Sequence, residues 1–395
     1  MKKNKIENLL HSKGYVSIET LIVAGLLIAT GAFLISKLVW KGKDVAISNN
    51  NNMANASKSL DADSFNNNNN YTNDNNQTTN PGGEDSTVPK IEDAICSLEN
   101  PSDLADYKYE ETTVDGTNIS GIRILKYKGS KKDIIIPSCI DGKKVVVIAP
   151  YAFYDKGLTS VSIPDSVVVI GSDSFGQNSL KSVHIPDNVS YIYDSAFERN
   201  SLKSVHIPKN INTIGCSVFS YNKLESLIIP NNITSIGDKA FEFNNLKSIT
   251  IPNSVVSIGN YAFSENKLTS IDIPNSVTEI GEGAFSENHL TSFNLPDNIT
   301  TLPGDIFRNN YFEKVTIPKN ITKIDKDAFC ENKYLETIVI PNTVTSIEYG
   351  AFYDTKNLKS VTMPKKFEEN KLDYFGRFNS EGHYYLASNI KFNLI

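Results

Sequence analysis

Residues 180–197 read LKSVHIPDNVSYIYDSAF and residues 268–285 read LTSIDIPNSVTEIGEGAF, and their likeness decides the fold. Phe recurs at positions 153, 175, 197, 219, 241, 263, 285, 307, 329 and 352, eight steps of 22 and one of 23. Pro keeps the same phase at 164, 186, 208, 230, 252, 274, 296, 318, 341 and 364. Fixed-phase self-similarity of this period marks a solenoid. Within one copy, Ser182-Val183-His184-Ile185 alternates polar with apolar and predicts a short strand with one buried face. Pro186, which has no N–H, ends it. Val189 and Ile192 return to the core, Ala196-Phe197 inserts a ring, and Asn200-Ser201 turns into the next Leu. Gly at 171, 215, 237, 259 and 281 fits a bend that needs a permissive backbone, with Tyr193, Pro303, Asp325 and Glu348 replacing it elsewhere. One such unit cannot bury its apolar face alone, but stacked units can. At ~4.8 Å per turn, ten of them run roughly 48 Å.

The pattern L-x-S-I-x-I-P-x-x-V-x-x-I-G-x-x-A-F-x-x-N resembles the BspA-like leucine-rich repeat. The preceding segment resembles that family's N-terminal cap: Gly121 to Gly129, then Asp133-Ile134-Ile135-Ile136-Pro137 and Ile140-Asp141-Gly142. The first copy is irregular, with 16 positions from Pro137 to Phe153 against 11 in later copies. The resemblance covers about Ala105 to Met363. It implies a microbial surface protein that binds or adheres, and enzymatic activity is not the family's habit. The tail from Lys365 to Ile395 is aromatic-rich and predicts a far-end cap.

Upstream of the array the composition changes twice. Met1 to Gly14 is basic, with four Lys against Glu7. Thr20 to Ser36 is an uncharged apolar run continuing through Lys37 to Trp40. As a helix of about 20 residues it would span roughly 30 Å, enough for a bilayer. The basic flank places the N-terminus inside and the rest outside. Glu19 at the edge of that run is an ionisable group in need of a partner. The string Lys13-Gly14-Tyr15-Val16-Ser17-Ile18-Glu19-Thr20-Leu21 resembles the processing site of type IV prepilins. There, a basic leader ends in Gly and Glu stands fifth in the mature chain. The resemblance implies cleavage between Gly14 and Tyr15 by a prepilin peptidase, and assembly with other pilin-like subunits through Glu19. Tyr15 departs from the commoner Phe or Met. A plain uncleaved anchor and ordinary secretion remain the alternatives. From Ser48 to Pro89 the chain is Asn-rich and too poor in apolar residues to offset ordering entropy, which predicts a disordered linker. Asp61-Ala62-Asp63 opens like a calcium loop but has Asn66 and Thr72 where Gly and Glu are needed.

Of 395 residues, 39% are hydrophobic and 21% charged, and the net charge of −6 argues against a nucleic-acid partner. Four Cys cannot scaffold a chain this long. Cys96 and Cys139 flank the cap, where a bridge or two free thiols both fit. Cys216 and Cys330 lie five repeats apart, roughly 24 Å, beyond the ~7 Å Cα limit for pairing. The repeated Leu, Ile and Phe columns face inward as packing. The Asn column from Asn178 to Asn310 reads as a buried ladder that satisfies backbone groups. Ser160 to Ser292, in steps of 22, faces outward. Two residues beyond it, the column that varies most runs Ser162, His184, His206, Ile228, Thr250, Asp272, Asn294, Thr316, Val339, Thr362. An exposed variable column on a constant frame is where ligand preference is written, so His184, His206, Ile228, Thr250, Asp272 and Val339 are the ligand-binding candidates. His184 and His206 stand one strand apart, but two ligands do not make a metal site, and no nucleophile–base arrangement emerges.

The expected fold is α+β overall: an N-terminal membrane helix, a disordered linker, then a leucine-rich-repeat β-solenoid of about ten 22–23-residue repeats. The boundaries are a leader at 1–14, helix at 15–41, linker at 42–90, N-terminal cap and irregular first repeat at 91–152, solenoid at 153–364 and C-terminal cap at 365–395. The expected function is a membrane-inserted, surface-displayed adhesion protein that presents its array to a surface protein or glycan, without catalytic residues, metal or cofactor. A pilin-like subunit is the first form of that reading, a single-pass anchored adhesin or receptor the second, and a surface enzyme the rival from a different class.

Overall fold

A computed structural model describes residues 104–378 and 384–395. The expected leader, membrane helix and linker lie outside the described residues, and with them Gly14, Tyr15, Glu19 and Cys96. The described part is a β-solenoid of about ten turns with very little helix. Helix is confined, among the described residues, to Lys371–Phe375 and two single 3-10 turns, in keeping with the β-solenoid expected for this part of the chain.

The first turns are built on a cap. Strand β1 (Tyr107–Thr113) pairs antiparallel with β2 (Ser120–Tyr127). After β3 (Asp133–Ile135) and β4 (Cys139–Ile140), β5 (Lys143–Ile148) pairs antiparallel with β4 and parallel with β2. The residues in excess of one period in the first copy accommodate the β4–β5 hairpin. Its turn residues Asp141 and Gly142 have φ of 51° and 73°, the left-handed pair that a two-residue hairpin favours. From β5 a ladder of two-residue strands climbs the array in parallel, Val147 against Val169 and Val169 against Tyr191. It resumes as Thr213–Ile214, Ser235–Ile236, Ser257–Ile258 and Glu279–Ile280. Each step is one 22-residue period.

Inside, the recurring Phe rings form one column. From Tyr127 through Phe153 to Phe375, successive centroids lie 4.9–6.4 Å apart. Tyr127 in the cap and Phe375 in the tail thus extend the column by a ring at each end. Beside the rings runs the Asn ladder. Asn222 Nδ2 donates to the carbonyls of Phe197, Phe219 and Ser220 at 3.0, 3.2 and 3.2 Å, and its Oδ1 accepts from the N–H of Leu202 at 3.0 Å. Asn178, Asn200, Asn244, Asn266 and Asn288 repeat the pattern, and Asn332 holds the carbonyls of Phe307 and Phe329. A buried amide whose donors and acceptor are all satisfied ties each turn to its predecessor by hydrogen bonds.

Two expectations change. The glycines at 171, 215, 237, 259 and 281 are not in the left-handed region, since among the described residues positive-φ glycines fall at 116, 142, 157, 283 and 350. They are small because turns approach closely: a Cβ on Gly281 would stand 2.4 Å from the backbone N of Asn260, and one on Gly259 2.5 Å from that of Asp238. The left-handed residues instead flank each ring, as at Ser195 and Arg199 around Phe197. Secondly, the outer strand is not continuous. It is regular at Ser160–Ser162, Ser270–Asp272, Ser292–Asn294, Lys314–Thr316 and Thr337–Val339, and then at Ser360–Met363 and Lys391–Leu394. In the turns around His184, His206, Ile228 and Thr250 only the bridge Ser162–His184 forms. The in–out alternation predicted for Ser182 to Ile185 holds, and these open turns are still joined by a backbone bond from the Glu225 N–H to the Lys203 carbonyl at 3.0 Å.

Candidate recognition surface

The strand register brings the variable column into one line. Ile135 pairs with Ser162, Ser162 with His184, Asp272 with Asn294, and Thr316 with Val339. Val339 pairs with Thr362, and Thr362 with Asn393 of the last strand. The column is therefore longer than the repeat count suggests. Ile135, 79% exposed, begins it, and its signal was present in Asp133-Ile134-Ile135-Ile136-Pro137, which has the same strand-then-Pro pattern. Asn393 carries no such signal, because the tail lacks the Pro and Leu that set the phase.

His184, His206, Ile228, Thr250 and Asp272 are all exposed, Ile228 to 84%. Val339 is not, and that expectation is corrected: it is half-buried. It sits mid-ladder with hydrogen-bonded strands on both sides, whereas Ile228 stands where the outer ladder is open. The rings of His184 and His206 lie 6.2 Å apart and 14° from parallel. His206 faces an acid: its Nε2 is 3.0 Å from Asp187 Oδ1. That contact, helped by Lys209, holds the Asp187 carboxyl below its usual range. Asp272 accepts a bond from Asn294 at 2.8 Å and lies apart from the histidines. Among the described residues no cluster of three or more His, Cys, Asp or Glu is arranged to hold a metal ion.

Where the column meets the cap it opens into a groove of ≈ 1370 Å³, walled by Thr113, Ser120 and Gly121 on one side and by Ser162, His184 and Asn188 on the other. Sequence reasoning missed this wall, because no local pattern says where the β1–β2 hairpin will sit against the first turns. Cys139 is disulfide-bonded, while Cys216 and Cys330 are free.

Residues 146–268 and 256–380 match the family model described as BspA type leucine rich repeat region. Together these segments exceed half of the chain. The chain belongs to the BspA-type leucine-rich repeat family. Solved structures of similar proteins include a leucine rich cell surface protein from Faecalibacterium prausnitzii, 27% identical, with 65% of this chain and 92% of that one covered and a TM-score of 0.38. A leucine-rich repeat protein from Bacteroides ovatus is 21% identical, over 73% of this chain and 98% of its own, with a TM-score of 0.39. The pneumococcal vaccine antigen PcpA is 17% identical over 73% and 91%, with a TM-score of 0.42. No curated protein matches. In this BspA-type chain no helix among the described residues is long and apolar enough to cross a membrane.

Proposed function

We propose that this BspA-type chain is a surface-displayed recognition protein that binds a surface protein or glycan through the variable column. One observation carries the reading: the interior columns are constant packing, while an exposed line of changing chemistry, with Ile135 and Ile228 as apolar points, runs along the frame. Burying an exposed Ile against a partner contributes about 1.5–3 kcal/mol. The test is adhesion of cells displaying the chain to immobilised surface proteins and glycans. Ile228→Asp and His206→Asp should each weaken adhesion and leave the thermal midpoint nearly unchanged. Full adhesion by both variants would move the ligand face elsewhere.

The second half of the reading concerns display. The string Lys13 to Leu21 supports cleavage after Gly14 and pilin-like assembly, with the carboxylate of Glu19 meeting the new amine of Tyr15 on a neighbouring subunit. Opposite charges in an apolar setting stabilise each other, whereas either alone is costly. Gly14→Leu should leave the leader attached, and Glu19→Ala should allow processing but impair incorporation into fibres. Sequencing the N-terminus of protein sheared from the surface decides it. A mature chain that retains Met1 to Gly14 leaves the apolar run from Thr20 to Ser36 as a single-pass anchor.

A further inference from the structure

The second residue after each Phe from Phe153 to Phe352 has a positive φ, and most turns fill that position with polar side chains such as Gln177, Glu265, Asn309 and Asp354. Two adjacent turns instead place Tyr221 and Phe243 there, at φ 53° and 54°. Bulky side chains are disfavoured in this region, and strain retained at the surface points to use. The two rings stack at 4.4 Å and 17°, the Arg199 guanidinium caps Tyr221 at 4.3 Å, and Phe243 is still 37% exposed. A second pair stands further along, on the neighbouring column: His289 and Tyr311 stack at 4.6 Å and 15°, with Lys333 5.5 Å from the Tyr311 ring. Phe243, His289 and Tyr311 line one groove of ≈ 470 Å³, whose polar lining includes Asn245, Glu265, Lys267 and Glu287.

Two turns separate the Phe243 end from the His289 end, about 10 Å at ~4.8 Å per turn. We infer that this groove binds a neutral oligosaccharide, with one sugar ring against Phe243 and another against His289. A pyranose has an apolar C–H face that packs on aromatic rings and a rim of hydroxyls that needs both donors and acceptors. The groove offers rings at its two ends and amide, carboxylate and ammonium groups between them. Glu265 and Glu287 are balanced by Lys267 and Lys333, so no net charge selects an ionic ligand. No wall of the groove belongs to the variable column, so a failure here leaves the adhesion reading standing, and the reverse.

The experiment is saturation-transfer NMR on the full chain with four hexasaccharides, built from glucose in α-1,4 or β-1,4 linkage, mannose, and N-acetylglucosamine. The variants are Phe243→Asn, which suits the left-handed backbone as Asn309 does, and His289→Ser, which matches Ser179 and Ser201 in the same column. Both are expected to keep the wild-type thermal midpoint. At least one hexasaccharide should receive saturation, and each variant should weaken its binding at least five-fold. No transfer to any of the four, or binding unchanged in both variants, overturns the inference.

Discussion

Asn222 shows how much one side chain can hold: three carbonyls and one N–H, from two turns, meet on a single amide. Asn222→Ala leaves those groups without partners in the interior, and a loss of about 2–4 kcal/mol is expected in chemical denaturation. A loss below 1 kcal/mol would mean that water enters to replace the amide. Phe241→Ala should cost about 3–5 kcal/mol through the cavity left between its stacked neighbours. Glu242 lies on the same turn and is buried, with Lys239 3.8 Å away. Burial raises its carboxyl above the ordinary value of 4.5, and Lys239 only partly opposes this. The folded state therefore holds the proton more tightly than the unfolded chain does. Stability from this group falls as pH rises above ~4.5, and the penalty is absent below it. Glu242→Gln should raise the thermal midpoint at pH 7 and leave it unchanged at pH 4; an equal gain at both would contradict the assignment. The two free thiols also differ. Cys330 is buried and its pKa is pushed far up by that burial, while Cys216 is half-exposed. A thiol reagent should label Cys216 in the native chain and reach Cys330 only after unfolding.

At the scale of elements, the period was legible in the sequence because packing repeats: each interior Phe, Leu and Ile must meet its own copy 22 residues on. The Asn ladder was legible for the same reason. What the pattern did not report is how tightly neighbouring backbones are held. Alternation in Ser182 to Ile185 tells which side chains face inward, and they do, but not whether the ladder closes. That is why Val339 was expected to be as exposed as Ile228. The glycine column shows the same limit: permissive φ and close approach leave the same mark in a sequence, and only distances separate them. Gly281→Ala tests the point, since its Cβ would meet the backbone at Asn260. A loss of about 1–3 kcal/mol is expected from the enforced shift. If Gly281 were needed only for flexibility, alanine would instead be neutral or slightly stabilising.

For the whole array, the ends matter most, because each turn is covered only by its neighbours. Phe375 lies 4.9 Å from Phe352, and strand Lys391–Leu394 pairs with Ser360–Met363. A chain stopped after Pro364 would bare the Phe352 ring and the edge of that strand. It should unfold less cooperatively and self-associate, as seen by light scattering. A truncated chain that stays monomeric with an unchanged midpoint would show that the tail is not a cap. The groove at the cap was beyond sequence reasoning, since no linear pattern seats the β1–β2 hairpin against the first turns; the aromatic groove lies on columns that share the 22-residue phase, but the phase alone does not tell that Phe243 and His289 open onto one cleft. The Asn bridge has a hereditary consequence as well. From Asn178 to Asn288 its partners lie at the same offsets, so unequal crossing-over between two of these repeats rejoins amides and carbonyls that fit as before. A lineage can thus lengthen or shorten the array by whole repeats in one event and still fold, reassorting exposed side chains while every interior bond is re-formed.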